Sequence, residues 1–187
     1  AHTGSTLIED RKDALLGASL LIASARKVAL EHDVITSCGE LLIEPNSPVA
    51  VAREARLVID LRSPDAERLT AADEHFAREV DDAARAANVE IQTVNRHAWD
   101  VLEYAPEGLA LAQEVVTELD LPHTRIMTLA GHDSTNVKDV LPTVMLFVPS
   151  HKGITHNEYE FTSDEDMLAG LQMLTATLRR VAQGELG

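Results

Sequence analysis

Positive charge is scarce in this sequence: 16 lysines and arginines stand against 31 aspartates and glutamates, with no basic cluster of the kind that tracks a phosphate backbone. Nucleic acid is therefore not an expected partner. The acidic excess is spread over several segments, which describes a self-repelling surface more than a cation-binding patch. Cysteine is nearly absent. Cys38 stands alone, so no internal disulfide can form, and no Cys or His partner lies around it at the spacing of a structural zinc site. It reads as a buried or half-buried thiol in a cytoplasmic protein. No apolar run is long enough to cross a bilayer, and no basic stretch followed by an apolar one opens the chain, so no membrane partner is expected. Glycine-rich phosphate loops and dinucleotide fingerprints are missing too.

What is present is a hydrophobic content of 45%, ordinary for a protein with a real core. From Glu9 to His32, Leu15, Leu21, Ile22, Ala25, Val28 and Ala29 recur at near-helical spacing, with acids in front and Arg26, Lys27 and His32 behind. Val34 to Ile43 reads as a strand that stops at Pro45-Asn46-Ser47-Pro48, and Val49 to Leu61 alternates as its antiparallel partner. Asp65 to Asn88 is again helical in spacing, and Val89 to Val94 alternates as a third strand. This order predicts a small α+β layer over residues 1–98, with an antiparallel sheet, two helices and room for a further strand ahead of His2. The opening on Ala1 rather than Met fits an excised or processed product.

A second unit, 99–187, is expected to begin near Trp99 to Ala105, with Pro106 as the first residue of a helix to about Leu119. Arg125 to Leu129 and Thr143 to Val148 read as strands, the latter of the kind buried on both faces of a parallel sheet. Thr162-Ser163-Asp164-Glu165 reads as the cap of a closing helix through Met167, Leu171, Leu174, Leu178 and Val181. Two polar loops follow the strands, where open α/β sheets place ligands: Gly131-His132-Asp133-Ser134, and Pro149 to Glu158 with His156 behind Gly153. On spacing alone each histidine is as well explained as a surface or capping residue. Ser134 or Ser150 paired with His132 or His156 is the nucleophile alternative, although neither serine sits in a Gly-x-Ser-x-Gly elbow.

Taken together, these motifs resemble one family. His2-Thr3-Gly4-Ser5-Thr6 with Asp10-Arg11-Lys12-Asp13-Ala14-Leu15 is similar to the signature that opens the lid helix of the amidase branch of the metal-dependent aminoacylase and carboxypeptidase superfamily. That branch holds N-carbamoyl-L-amino-acid hydrolases, allantoate amidohydrolases and β-ureidopropionases. Glu44-Pro45-Asn46-Ser47-Pro48 and Ile59-Asp60-Leu61-Arg62 resemble its strand pair. Ala130-Gly131-His132-Asp133-Ser134 resembles its Gly-Ala-Gly-His-Asp-Ala loop, and Gly153-Ile154-Thr155-His156-Asn157 its Gly-Ile-Ser-His-Asn loop. The matches are collinear along the whole chain.

The resemblance implies a lid or dimerisation domain followed by the C-terminal part of an α/β metallohydrolase catalytic domain. It implies hydrolysis of amide or ureido substrates by metal-activated water at two divalent ions, zinc or manganese. His156 corresponds to a metal ligand, and the remaining ligands and the general base lie upstream, in an N-terminal catalytic half that this chain lacks. His2 corresponds to the lid histidine that stabilises the developing oxyanion, Arg62 to the arginine that clamps the substrate carboxylate, and His132 and Asp133 to residues lining the pocket. Val49 stands where the family has an asparagine that helps that arginine. Lids pairing across a homodimer imply that His2 and Arg62 of one subunit complete the site of the other. Against these roles stand plainer readings, in which Arg62 pairs with Asp60, Asp65 or Glu67 and His2 is a frayed terminal residue. A non-catalytic dimerisation or binding module, or a degenerate homologue, is the alternative for the chain as a whole.

Overall fold

The computed structural model describes residues 1–99 and 103–186 and divides into two compact units, Ala1–Val101 and Leu102–Gly187. The expected start of a second unit between Trp99 and Ala105 includes residues 100–102, which lie outside the described residues.

In the first unit α1 spans Ala14–His32 and α2 spans Ala66–Ala87. Each begins on an aspartate cap: Asp13 accepts the Leu16 amide at 3.0 Å, and Asp65 accepts those of Glu67 and Arg68 at 3.0 and 3.1 Å. Each ends on a left-handed residue that tolerates positive φ, Asp33 at 53° and Asn88 at 54°. Strands β1 (Ile35–Glu44) and β2 (Glu54–Arg62) form an antiparallel hairpin whose register pairs Ile35 with Arg62 and Glu44 with Glu54. Both helices pack on this hairpin and on each other, so the unit has one helical layer on one sheet. Ala18, Leu21, Ala25, Val28 and Ala29 of α1 are buried, as are Ala72, Ala83 and Ala87 of α2. Small side chains let the two helices approach closely. Complete burial of Val28 stabilises the unit by roughly 1.5–3 kcal/mol.

Three expectations change here. Val89–Val94 joins no ladder among the described residues, and Val94 is 86% exposed: alternation favours extended backbone, but a strand also needs a neighbour with free ladder groups. The additional pairing comes instead from the first residues, through a bridge between His2 and Ala50. Cys38 is exposed rather than buried. It adjoins a β-bulge between Cys38 and Glu40, where inward facing passes from Thr36 to Leu41 and Ile43 because one extra residue reverses the alternation.

In the second unit α3 spans Pro106–Glu118, with proline in its first turn, α4 spans Ser134–Val137 and α5 spans Asp164–Ala182. Ser163 caps α5, accepting the Asp166 amide at 3.1 Å while its hydroxyl reaches the Asp166 carboxylate at 2.6 Å. Arg180 on α5 binds Glu114 on α3 at 2.7 Å and Glu118 at 3.4 Å, tying the helices together. Thr143–Val148 lies against both helices: a Cβ on Gly108 would meet Val144 at 3.6 Å, and one on Gly170 would collide with Val148. Neither this run nor Arg125–Leu129 is bonded into a ladder among the described residues, and Phe147 is 53% exposed. The expected burial on two faces is not realised. Along α5, Met167, Leu171, Leu174 and Leu178 form an exposed apolar stripe.

The α1–α2 seam carries one strong electrostatic tie. Glu79 of α2 accepts from Lys27 at 2.8 Å and from Ser24 at 2.7 Å, both on α1, with His75 at 3.4 Å. These hydrogen bonds, that from Lys27 foremost, lower the Glu79 pKa from 4.5 to about 2. A depressed carboxylate pKa adds stability that is present above pH 4.5 and lost as pH falls towards 2. Glu79→Gln is expected to cost about 1 kcal/mol at neutral pH and to flatten stability against pH in that acid window. Urea denaturation of both proteins at neutral and acid pH measures this; parallel pH profiles would refute it.

Candidate functional site

The N-terminal residues are held beside the turn end of the hairpin by backbone bonds. The Thr3 amide donates to the Val49 carbonyl at 3.2 Å, and the Val51 amide donates to the Ala1 carbonyl at 2.7 Å. His2 and Val49, two expected site residues, are thereby neighbours on paired backbone. His2 is not frayed: its Nδ1 accepts the Gly4 amide at 3.0 Å. An amide can only donate, so Nδ1 of the neutral ring is the acceptor and Nε2 carries the proton. A Cβ on Gly4 would stand 3.2 Å from His2 Cε1, so glycine gives the ring its room.

Arg62 lies elsewhere. It ends β2 opposite Ile35, while Val49 precedes the start of β2 at Glu54. Eight strand steps separate Glu54 from Arg62, roughly 25 Å. The antiparallel run of α1 agrees, since the Ala14 amide at its start bonds the Ala52 carbonyl and its end at His32 leads into β1. Val49 stands beside His2 at the turn end of the hairpin, and Arg62 lies at its opposite end. Arg62 pairs with Asp60 through Nε, as its alternative reading anticipated. It remains about half exposed.

In the second unit the His132-Asp133-Ser134 loop runs into α4. His132 Nδ1 accepts the Ser134 amide at 3.1 Å and lies 2.9 Å from the Ser134 hydroxyl, which in turn lies 2.7 Å from the Tyr104 hydroxyl. Asp133 is exposed and its carboxylate caps nothing. His156 is exposed and holds a φ of 54°, a region few non-glycine residues adopt, with its amide donating to Glu160 at 2.8 Å. Ser150, the other nucleophile alternative, bonds the Ile154 carbonyl. No hydrogen bond or ion pair joins His156 to His132 or Asp133 among the described residues. Nor do those residues contain a group of three or more His, Cys, Asp or Glu placed to hold a metal ion, so the donors present do not by themselves fit a two-metal centre.

Against this geometry, the model of the peptidase family M20/M25/M40 matches residues 9–180. The chain belongs to that family. Among M20 relatives, a putative hydrolase of Mycolicibacterium smegmatis is 46% identical over 99% of this chain and 43% of its own length. An N-carbamoyl-L-amino-acid amidohydrolase of Paenarthrobacter aurescens is 27% identical over 95% of this chain and 44% of its own. A solved hydantoinase/carbamoylase family amidase from Burkholderia multivorans superposes with a TM-score of 0.82 at 31% identity, over 96% of this chain and 44% of that one. The fold thus matches the lid domain of the M20 amidohydrolase family, and the chain spans under half the length of the curated relatives it matches.

Sequence reasoning assigned no role to Arg11, which sits in the motif opening the lid helix. Its guanidinium donates to the Thr3 carbonyl at 2.6 Å and the Thr6 carbonyl at 3.1 Å, holding the loop that carries His2. The Asn88 side chain in turn donates to the Arg11 carbonyl at 3.2 Å. Arg11→Ala should cost about 1–3 kcal/mol and raise amide exchange selectively over residues 2–6. Hydrogen-exchange mass spectrometry measures it, and unchanged exchange in that segment would remove Arg11 from the role.

Proposed function

We propose that this chain is the lid and part of the catalytic domain of a divalent-metal amidohydrolase acting on N-carbamoyl or N-acyl amino acids. The observation that carries the reading is the M20 match over residues 9–180, in company with a carbamoyl amino-acid hydrolase along nearly the whole chain. In the complete enzyme two divalent ions, zinc or manganese, would supply Lewis acidity, with His156 the residue of this chain that would help to hold them. One protein ligand is too few for a catalytic ion, which takes at least three. In this reading His156 is one ligand, and the others, with the general base, belong to sequence beyond these 187 residues. The exposed apolar stripe on α5 offers a surface to that part.

The chain's own residues then bind and orient. His2 presents Nε2–H to the oxygen that gains charge, where fixed donors stabilise the transition state. Arg62 takes the carboxylate with its planar fork, exchanging Asp60 for substrate. Val49 forms an apolar wall beside His2, and His132 and Asp133 line the pocket. Glu54 and Arg62 stand roughly 25 Å apart along β2 and His2 bridges Ala50 before its start, so we assign His2 and Arg62 of one lid to different sites. The expectation that both act together on the partner's site is therefore replaced: in a lid-paired homodimer, each active site takes His2 from one lid and Arg62 from the other.

The test uses the full-length, metal-loaded protein and release of free amino acid from N-carbamoyl and N-acyl substrates. His2→Ala and Arg62→Ala should each lower kcat/KM by about 100-fold or more. Mixed under subunit exchange, they should recover activity, because heterodimers hold one site with both residues intact. No recovery after exchange is demonstrated by mass would refute the split assignment. Absence of any amide hydrolysis by the wild type would instead favour a binding module.

Val49→Asn should raise kcat/KM for N-carbamoyl amino acids by about 10-fold, since it adds a hydrogen bond to a polar substrate group. Steady-state kinetics over a substrate panel measures this, and an unchanged panel would remove Val49 from the pocket.

A further inference from the structure

The cluster around His132 allows its proton positions to be deduced. The Ser134 amide, 3.1 Å from His132 Nδ1, can only donate. Nδ1 therefore carries no proton in the neutral ring, and the neutral tautomer is Nε2–H. Where the Ser134 hydroxyl, 2.9 Å from that unprotonated Nδ1, bonds it, the hydroxyl is the donor and shares the nitrogen's lone pair with the amide. With its proton directed to Nδ1, its oxygen is free to accept from the Tyr104 hydroxyl 2.7 Å away. Met145 Sδ, 2.8 Å from the same phenol, shares that proton as a weaker acceptor. The result is a one-way relay from Tyr104 through Ser134 to His132. Both supporting side chains are partly buried, while His132 is exposed. Among the described residues no hydrogen bond occupies Nε2.

Serine stands at this position where the resembling loop ends in alanine, so the hydroxyl is a departure that this sequence makes. We propose that Ser134, backed by Tyr104, is a positioning residue that holds His132 as an Nε2–H donor to a carbonyl or carboxylate oxygen of the bound ligand. The arrangement gives the ring two tethers on one nitrogen. It therefore fixes the ring's orientation as well as its tautomer. The relay also separates this role from a serine nucleophile: the Ser134 oxygen already accepts from Tyr104, and the imidazole that faces it does so through a nitrogen tied to backbone. The ligand's identity rests on the amidohydrolase reading, whereas the tautomer does not.

The experiment compares full-length wild type, Ser134→Ala and Ser134→Thr. Alanine keeps the amide and suits the first residue of α4, and threonine keeps the hydroxyl. With histidine labelled in its ring nitrogens, magnetic resonance at alkaline pH should show wild-type His132 protonated on Nε2 and unprotonated on Nδ1. Ser134→Ala should weaken that preference about 5- to 10-fold, and Ser134→Thr should restore it. In the loaded enzyme kcat should fall by a similar factor in Ser134→Ala and recover in Ser134→Thr. An unchanged tautomer ratio in Ser134→Ala, or covalent labelling of Ser134 in the wild type by a fluorophosphonate, overturns the proposal. If the wild type hydrolyses no amide, the substrate reading fails, while the tautomer spectra still decide the role of Ser134.

Discussion

The antiparallel register of β1 and β2 governs where the first unit can present chemistry. Because Ile35 faces Arg62 and Glu44 faces Glu54, the hairpin is a ruler with Arg62 at one end and the 45–53 turn at the other. A strand cannot shorten without losing ladder bonds, and a one-residue slip would turn every inward side chain outward. The helices reinforce the span. Nineteen residues of α1 run back along the hairpin, joined to α2 through a seam of alanines and the Glu79–Lys27 pair. Under the proposed function, bringing His2 and Arg62 to one ligand would take two copies of the unit, which would connect a packing constraint to oligomeric function.

Local turns do a different job. His2 and His132 stand in different units, yet each turns Nδ1 onto the amide two residues ahead, at 3.0 and 3.1 Å. A side chain bonded to its own backbone neighbour loses little additional freedom when the fold forms, so the ring is oriented at small entropic cost. The partner is an amide, which never accepts, and the same contact therefore determines the tautomer. Both rings are left with Nε2–H as the polar group to offer. His156 is set differently, by a left-handed backbone whose amide is held by Glu160. Such a conformation persists only where surrounding contacts determine it, and it aims the side chain differently from an ordinary loop residue.

Much of this was legible in the chain itself. Apolar residues recurring at near-helical spacing from Glu9 to His32 and from Asp65 to Asn88 announced two helices, although α1 begins only at Ala14. Pro106 and Ser163 did the same for α3 and α5. The collinear motifs identified the family without any coordinates, since a motif records which side chains must recur and in what order. Strands were less legible. Val89–Val94, Arg125–Leu129 and Thr143–Val148 have β-type patterns, but pattern encodes only the willingness to extend, and the ladder partner lies at no fixed distance in sequence.

The sequence by itself determined the helices, their caps, the hairpin and the set of candidate residues, because these depend on interactions within a few positions or on recurrent motifs. Only the tertiary structure decided how those residues are grouped. It placed Val49 with His2 rather than Arg62, made Arg11 the support of the His2 loop, and brought Tyr104 onto Ser134 from thirty positions away. Such contacts arise from strand register, helix packing and side-chain reach in three dimensions, none of which is written in the spacing of residues along a chain.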